Sequence, residues 1–257
     1  MSISAEQVAK LRARTGSGIL DAKNALEEAK GNEDLAIDIL RKKGKAQAVK
    51  KADRMQSEGA IFIASDGKKA ALVQVKCETD FVGRSEVFTK FGQDLAEKLL
   101  SEGMTSFTAY AAEKVPAAVL ELGENISLGD TKEVAAPILG TYVHSNRKIG
   151  VIVGLDTGTT EQAADVAMHG AAMNPTYVRP SDVSQEAVLK EKEIWKEQMK
   201  NDKKPPEILE KIMMGKEKKF REENALTTQA FVKDQNVSVE KMLGSAQIKE
   251  YVRVSFN

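Results

Sequence analysis

Apolar positions in the first 44 residues recur at helical spacing in three short runs. Val8 and Leu11 follow Ser4-x-x-Gln7, a pair that can cap each other's backbone, so a helix opens there. Thr15-Gly16-Ser17-Gly18 stops it. A second run, from about Ile19 to Lys30, carries Ala22, Leu26 and Ala29 and ends at Gly31. Asn32 can cap a third, with Leu35, Ala36, Ile39 and Leu40 on one face, ending at Gly44. The pattern predicts a three-helix miniature domain whose small core leaves it only modestly stable alone. The basic, alanine-rich stretch Arg41 to Arg54 reads as a helical or flexible linker.

The period then changes to two. Gly59 to Val75 sets two apolar runs on either side of Asp66-Gly67, a strong hairpin signal. A helix follows over about Ser85 to Leu100, with Phe88, Phe91, Leu95 and Leu99 on one face. Another is predicted from Phe107 to Leu122, with Pro116 as a candidate break. Asn125 to Ala135 fits a strand. The series recurs: Leu139 to Leu155 is again strand, polar turn, strand, and a helix follows from about Thr160 to Met173. The repetition predicts two duplicated subdomains, each a small antiparallel sheet covered by helices, in an α+β core.

From Ser184 to Phe220 the chain is charged and helical, interrupted by Pro205-Pro206. Two antiparallel helices joined near Asn201 to Pro206 account for it. Apolar positions are sparse: Val188, Trp195 and Met199 on one arm, Ile208, Ile212 and Phe220 on the other. Such a hairpin buries a narrow seam and should protrude. A helix near Val239 to Ile248 and a strand over Tyr251 to Phe256 close the chain. The expected division is 1–54 for the three-helix domain and linker, and 55–138 for the first core subdomain. The second subdomain takes 139–183 with 222–257, and the hairpin takes 184–221.

Composition narrows the chemistry. Across 257 residues, Lys+Arg and Asp+Glu are each 38, so no bulk positive charge is available to grip nucleic acid. Cys77 is the single cysteine, which excludes an internal disulfide and a cysteine-based zinc site and fits a reducing compartment. No signal peptide is recognisable at the start, and no apolar run approaches the roughly 20 residues that span a bilayer. A cytoplasmic location is expected. No phosphate-cradling G-x-x-x-x-G-K-[ST], G-x-S-x-G, H-E-x-x-H or EF-hand loop occurs. No cofactor, metal site or catalytic group is expected. Of the two histidines, His169 reads as a helix-packing residue. His144, at a strand end beside a turn, fits partner contact or local hydrogen bonding.

One corner departs from ordinary turn chemistry. After the first hairpin the chain reads Cys77-Glu-Thr-Asp-Phe-Val-Gly-Arg84, placing Phe81 and Val82 beside Asp80 at a strand-to-helix junction. The matching corner after the second hairpin, Leu155 to Gln162, manages with small polar residues. Phe81 could tuck into its own subdomain. The comparison favours an exposed wedge, an aromatic ring with a neighbouring acid that can anchor in a partner's pocket.

Five stretches carry a resemblance. "LRARTGSGILDAKNAL" (Leu11 to Leu26) and "VKCETDFVGR" (Val75 to Arg84) are similar to signatures of the elongation factor Ts family. "GENI" (Gly123 to Ile126), "YVHSNRKIGV" (Tyr142 to Val151) and "MHGAAMNP" (Met168 to Pro175) follow in family order. The resemblance implies a nucleotide exchange factor, not an enzyme, that binds the GTPase elongation factor Tu with its GDP and does not itself hold nucleotide. It implies a ubiquitin-associated-like N-terminal domain. Arg12, Ile19, Leu20 and Lys23 would face the GTPase's nucleotide domain, and Asp80 and Phe81, with Val82 beside them, would enter next to its magnesium and phosphate site. His144 would support that face, and Val232 would approach another domain. Ile19 and Leu20 stand where the family often has methionines, and the chain ends at Asn257, where some members continue into a further helix. The alternative is a non-enzymatic binding module or scaffold of the translation apparatus. The hairpin, through Trp195, is a candidate homodimer contact.

Overall fold

The protein is described here from a computed structural model, over residues 3–200 and 204–256. It is an α+β protein of helices and small antiparallel sheets, in two units. One comprises the described residues of Met1–Val134, Val143–Gly150 and Val254–Asn257; the other comprises Ala135–Tyr142 and Val151–Arg253.

The first unit opens with α1 (Ala5–Thr15), α2 (Ile19–Glu28) and α3 (Glu33–Lys51). The capping box forms as the sequence predicts: Gln7 N donates to Ser4 Oγ at 3.2 Å, and Ser4 N to Gln7 Oε1 at 2.9 Å. Gly16, at φ 66°, supplies the left-handed turn that ends α1. Asn32 caps α3 through Leu35 N at 3.0 Å. Val8, Leu11, Ala22, Leu26, Ala36 and Leu40 meet in the core of this bundle.

The third helix does not end at Gly44. It runs on to Lys51, so the helical reading of the basic stretch holds and the flexible one does not. Gly44 is needed there because a Cβ would lie 2.7 Å from the carbonyl oxygen of Pro116. Arg41 pairs with Glu113 at 2.9 Å, and Leu120 packs onto the bundle's core.

Strands β1 (Glu58–Ser65) and β2 (Lys69–Cys77) pair antiparallel, with Phe62 opposite Val73 and Ala60 opposite Val75. Asp66 organises the turn by accepting from Lys68 N at 2.9 Å and Lys69 N at 2.6 Å. After the short helix α4 (Asp80–Gly83), the long helix α5 (Glu86–Leu122) lays Phe88, Leu95 and Leu99 on that face of the sheet. The two helices expected between Ser85 and Leu122 are both present, meeting at a kink where Gly103 leaves helical geometry (φ 75°, ψ 173°), and the second continues through Pro116 without a break. Strand β3 (Ser127–Ala135) adds to β2.

The second unit contains most of β4 (Ile138–Val143), β5 (Ile149–Leu155) and β8 (Ile248–Ser255), ordered β4-β5-β8. Helix α6 (Thr160–Met173) packs closely on it: a Cβ at Gly140 would run into the backbone of Ala163. Helices α7 (Gln185–Gln198) and α8 (Pro206–Glu223) run antiparallel. Lys192 pairs with Glu217 at 2.6 Å, and Lys216 donates to Gln198 at 3.3 Å. The proposed junction near Asn201 to Pro206 lies partly outside the described residues, since 201–203 are not described. Ile208 is exposed rather than in the seam. Trp195 is only 8% exposed and meets Phe220 edge to face at 5.9 Å, so it is not available to a second copy. Strands β6 (Ala230–Phe231) and β7 (Asp234–Ser238) and the short helix α9 (Val239–Leu243) complete the unit; α9 ends well before Ile248. No helix among the described residues is long and apolar enough to cross a membrane.

Candidate functional site

The corner after β2 presents its phenylalanine to solvent. Thr79 caps α4, its hydroxyl accepting from Val82 N at 3.3 Å. A four-residue helix cannot bury much, and this one divides its apolar pair. Val82 is half-buried and packs against the β1–β2–α5 core. Phe81 points the other way and is 84% exposed. Val82 therefore anchors α4 while remaining partly exposed beside Phe81. Asp80 pairs with Arg84 one turn on, at 3.2 Å.

The sequence reading missed what holds this corner. The carboxylate of Glu124, just beyond α5, accepts from Glu78 N at 2.9 Å, Thr79 N at 3.1 Å and Thr79 Oγ at 2.5 Å. Its partners lie 45 and 46 residues away, so no local spacing could reveal it. Cys77 is buried beneath, its thiol donating to Thr79 O at 3.1 Å and pushed up to about 11, chiefly by burial. It is a packing residue, not a nucleophile.

The β4–β5 turn shares a groove of about 560 Å³ with α4, lined by Asp80, Gly83 and Arg84 on one side and by residues 145–148 on the other. His144 N donates to Ile149 O at 2.9 Å and His144 O accepts from Arg147 N at 2.7 Å, and the residue lies at the surface beside the turn. Lys148 fixes the turn to β1, reaching Glu58 at 2.5 Å and Gly59 O at 2.8 Å. Arg147 lies 5.4 Å over the Phe62 ring. The structure thus brings Asp80, Phe81 and the His144 turn to one region of the first unit, an association that the linear spacing of 63 residues between Phe81 and His144 does not show.

In the three-helix bundle, Ile19 and Leu20 open α2 and are 64% and 68% exposed. Gly18 offers α2 no side-chain cap, so the adjacent apolar pair stands at an open helix start. Arg12 braces the turn between α1 and α2, donating from Nε to Ser17 O at 3.1 Å. Lys23 pairs with Glu27 at 3.7 Å on the exposed side of α2.

Val232 belongs to the second unit. It sits with Lys233 in the two-residue turn between β6 and β7 and is 37% exposed. Its backbone N donates to Nδ1 of the fully buried His169 at 3.1 Å. The other ring nitrogen, Nε2, bonds Gln229 Oε1 at 3.0 Å. Nδ1 accepts, so Nε2 carries the proton and the ring is neutral. Burial, partly offset by the Gln229 bond, holds its pKa below the usual histidine value. His169 does pack in the helix layer, and it also fixes the Val232 turn.

The family profile described as "Elongation factor TS" matches residues 78–257, from the α4 corner onward. The chain belongs to the elongation factor Ts family. It is 43% identical over 252 residues to the elongation factor Ts of Aeromonas hydrophila subsp. hydrophila, covering 94% of this chain and 86% of that one. It is 41% identical over 257 residues to the elongation factor Ts of Deinococcus radiodurans, covering 96% and 97%. Against that of Halothermothrix orenii it is 38% identical over 268 residues, covering 97% and 90%. As a member of the elongation factor Ts family it is a translation elongation factor of protein biosynthesis.

Proposed function

We propose that the protein is the guanine-nucleotide exchange factor of elongation factor Tu, a cytoplasmic, non-enzymatic partner that releases GDP without itself binding nucleotide. The observation that carries this reading is Phe81, a large ring 84% exposed on a well-capped turn beside a carboxylate. A solvent-exposed phenylalanine gains nothing for the free protein and gains about 1.5–3 kcal/mol when buried against a partner. Other exposed positions fit the same use. Ile19 and Leu20 would dock with Arg12 and Lys23 on the nucleotide domain. The His144 turn would support the wedge, and Val232 would approach a further domain. The four-part division into N-terminal bundle, two duplicated core subdomains and protruding hairpin is the working organisation of this factor.

The mechanism needs no contact with GDP. A GTPase holds its nucleotide through backbone amides, a lysine and Mg²⁺ at the phosphates. A factor that binds the empty form more tightly than the loaded form must weaken nucleotide binding by the same factor. Phe81 would displace packed elements near the phosphates. Asp80 would trade its exposed pair with Arg84, worth at most about 1 kcal/mol, for groups around the metal's water network. A thousandfold loss of nucleotide affinity needs only about 4 kcal/mol. The test is the affinity of this protein for nucleotide-free and GDP-loaded elongation factor Tu, measured side by side. The reading requires markedly tighter binding to the empty form. Equal affinities would favour the scaffold reading, in which binding is not coupled to nucleotide.

A further inference from the structure

The wedge corner depends on a single carboxylate outside it. Three donors, the backbone amides of Glu78 and Thr79 and the Thr79 hydroxyl, all converge on Glu124. All three immediately precede α4. Donating to Glu124 orients the Thr79 hydroxyl so that a lone pair faces Val82 N, which is the cap of α4. The lashing is reciprocal, since Glu78 Oε1 accepts from Asn125 N at 2.6 Å. Asn125 in turn donates from Nδ2 to Ala52 O at 3.2 Å and Arg54 O at 3.1 Å, the residues that follow α3. Gln56 Nε2 donates to Asn125 O at 2.8 Å. One short loop therefore ties the end of the docking bundle to the base of the wedge.

We propose that Glu124 is a positioning residue for nucleotide exchange, fixing the orientation of α4 and so the direction in which Phe81 leaves the core. The proposal rests on the exchange reading above. Glu124 touches neither nucleotide nor partner in this account; it acts through Phe81. Glu78 and Glu124 are half-buried and Thr79 is exposed, so water can replace the lost acceptor. Removing the carboxylate therefore costs little folding free energy but frees the corner to sample other directions. Pre-organisation is what is lost, and it is lost from the step that needs the wedge.

The experiment follows labelled GDP release from elongation factor Tu against increasing concentration of the unmutated protein, Glu124→Ala, Glu124→Gln, Phe81→Ala and the Glu124→Ala/Phe81→Ala double variant. Glu124→Ala should lower the maximal rate by roughly tenfold or more, as misplacing a positioned group does, with the half-saturating concentration nearly unchanged. Glu124→Gln should retain most activity, because its amide oxygen can accept both backbone N–H groups while its nitrogen donates to Thr79 Oγ. The double variant should be no slower than Phe81→Ala alone. In the free protein, amide hydrogen exchange at Thr79 and Val82 should quicken in Glu124→Ala while α5 core amides do not change. Unchanged release by Glu124→Ala, additive losses in the double variant, or unchanged amide exchange at the corner would each overturn the proposal. No acceleration by the unmutated protein would instead remove the exchange reading, and this proposal with it.

Discussion

Phe81 and Val82 are adjacent in sequence and opposite in fate. Two successive residues on a helix face away from each other by about 100°, and α4 uses that to bury one and expose the other. The composition of the corner made the exposed ring legible, because a phenylalanine had no local reason to be there. That the ring faces outward was legible from the matching corner; what holds the corner was not, since Glu124 lies 45 residues from Thr79. Phe81→Ala should leave thermal unfolding within about 0.5 kcal/mol of the parent, as exposed positions do. A core phenylalanine would instead lose about 3–5 kcal/mol, and a loss of that size would mean the ring is buried in solution. His169 yields a second residue-scale expectation. Its folded pKa lies below the unfolded value near 6.5, so the unfolded chain binds more protons in that window. The associated stability is fully present above about pH 6.5 and is lost as pH falls toward the folded pKa. Urea unfolding at pH 7.5 and 5.5 should show a smaller pH-dependent loss in His169→Gln than in the parent. An identical loss would assign the dependence to carboxylates alone.

At the scale of elements, the helical periods and hairpin turns were readable because they depend on neighbours in sequence. Where α3 ends was not, because Gly44 reads locally as a stop. Its missing Cβ serves instead the close approach to Pro116, a contact 72 residues away. This gives opposite signs for one substitution. In a solvated linker helix, Gly44→Ala would stabilise by about 0.5–1 kcal/mol. Against the Pro116 carbonyl it should destabilise by about 1–3 kcal/mol. A raised Tm would contradict the packing of α3 on α5. The same packing means that cutting the chain at Arg54 would uncover α5, so it would not separate docking from folding. An Ile19→Ser/Leu20→Ser double variant does separate them. It should fold normally and raise the concentration for half-maximal exchange by about tenfold or more, from roughly 1–3 kcal/mol of lost burial, with the maximal rate kept. A fall in the maximal rate alone would place these residues in the exchange step.

The hairpin's seam could be read in advance at Trp195 and Phe220, though not at Ile208, which is exposed. Trp195 and Phe220 were visible as sparse apolar positions, but their mutual contact decides that the indole faces inward. Lys192 and Glu217 are paired, so a short linker can replace 193–216 while Val188 and the Arg221 bonds to Pro180 O and Val183 O remain. Cooperative unfolding with a nearly unchanged midpoint is expected, and loss of the cooperative transition would show that the seam supports the sheet.

For the whole molecule, the account is that one unit carries the docking bundle, the wedge and the His144 turn, with the bundle joined through a packed helix rather than a loose tether. Balanced charge spoke only against a bulk grip on nucleic acid; the signatures and the family match pointed to a translation elongation factor. In the proposed mechanism, exposed apolar surface held in a fixed direction is converted into release of nucleotide. The most direct measurement is the rate of fluorescent GDP release from elongation factor Tu, excess unlabelled GDP present, with no factor, with this protein and with Phe81→Ala. The account predicts a large acceleration by this protein and, for a hot-spot truncation worth roughly 2–4 kcal/mol, a loss of most of it in a Phe81→Ala protein that is fully folded. An unaccelerated release, or one equally fast with Phe81→Ala, would contradict it.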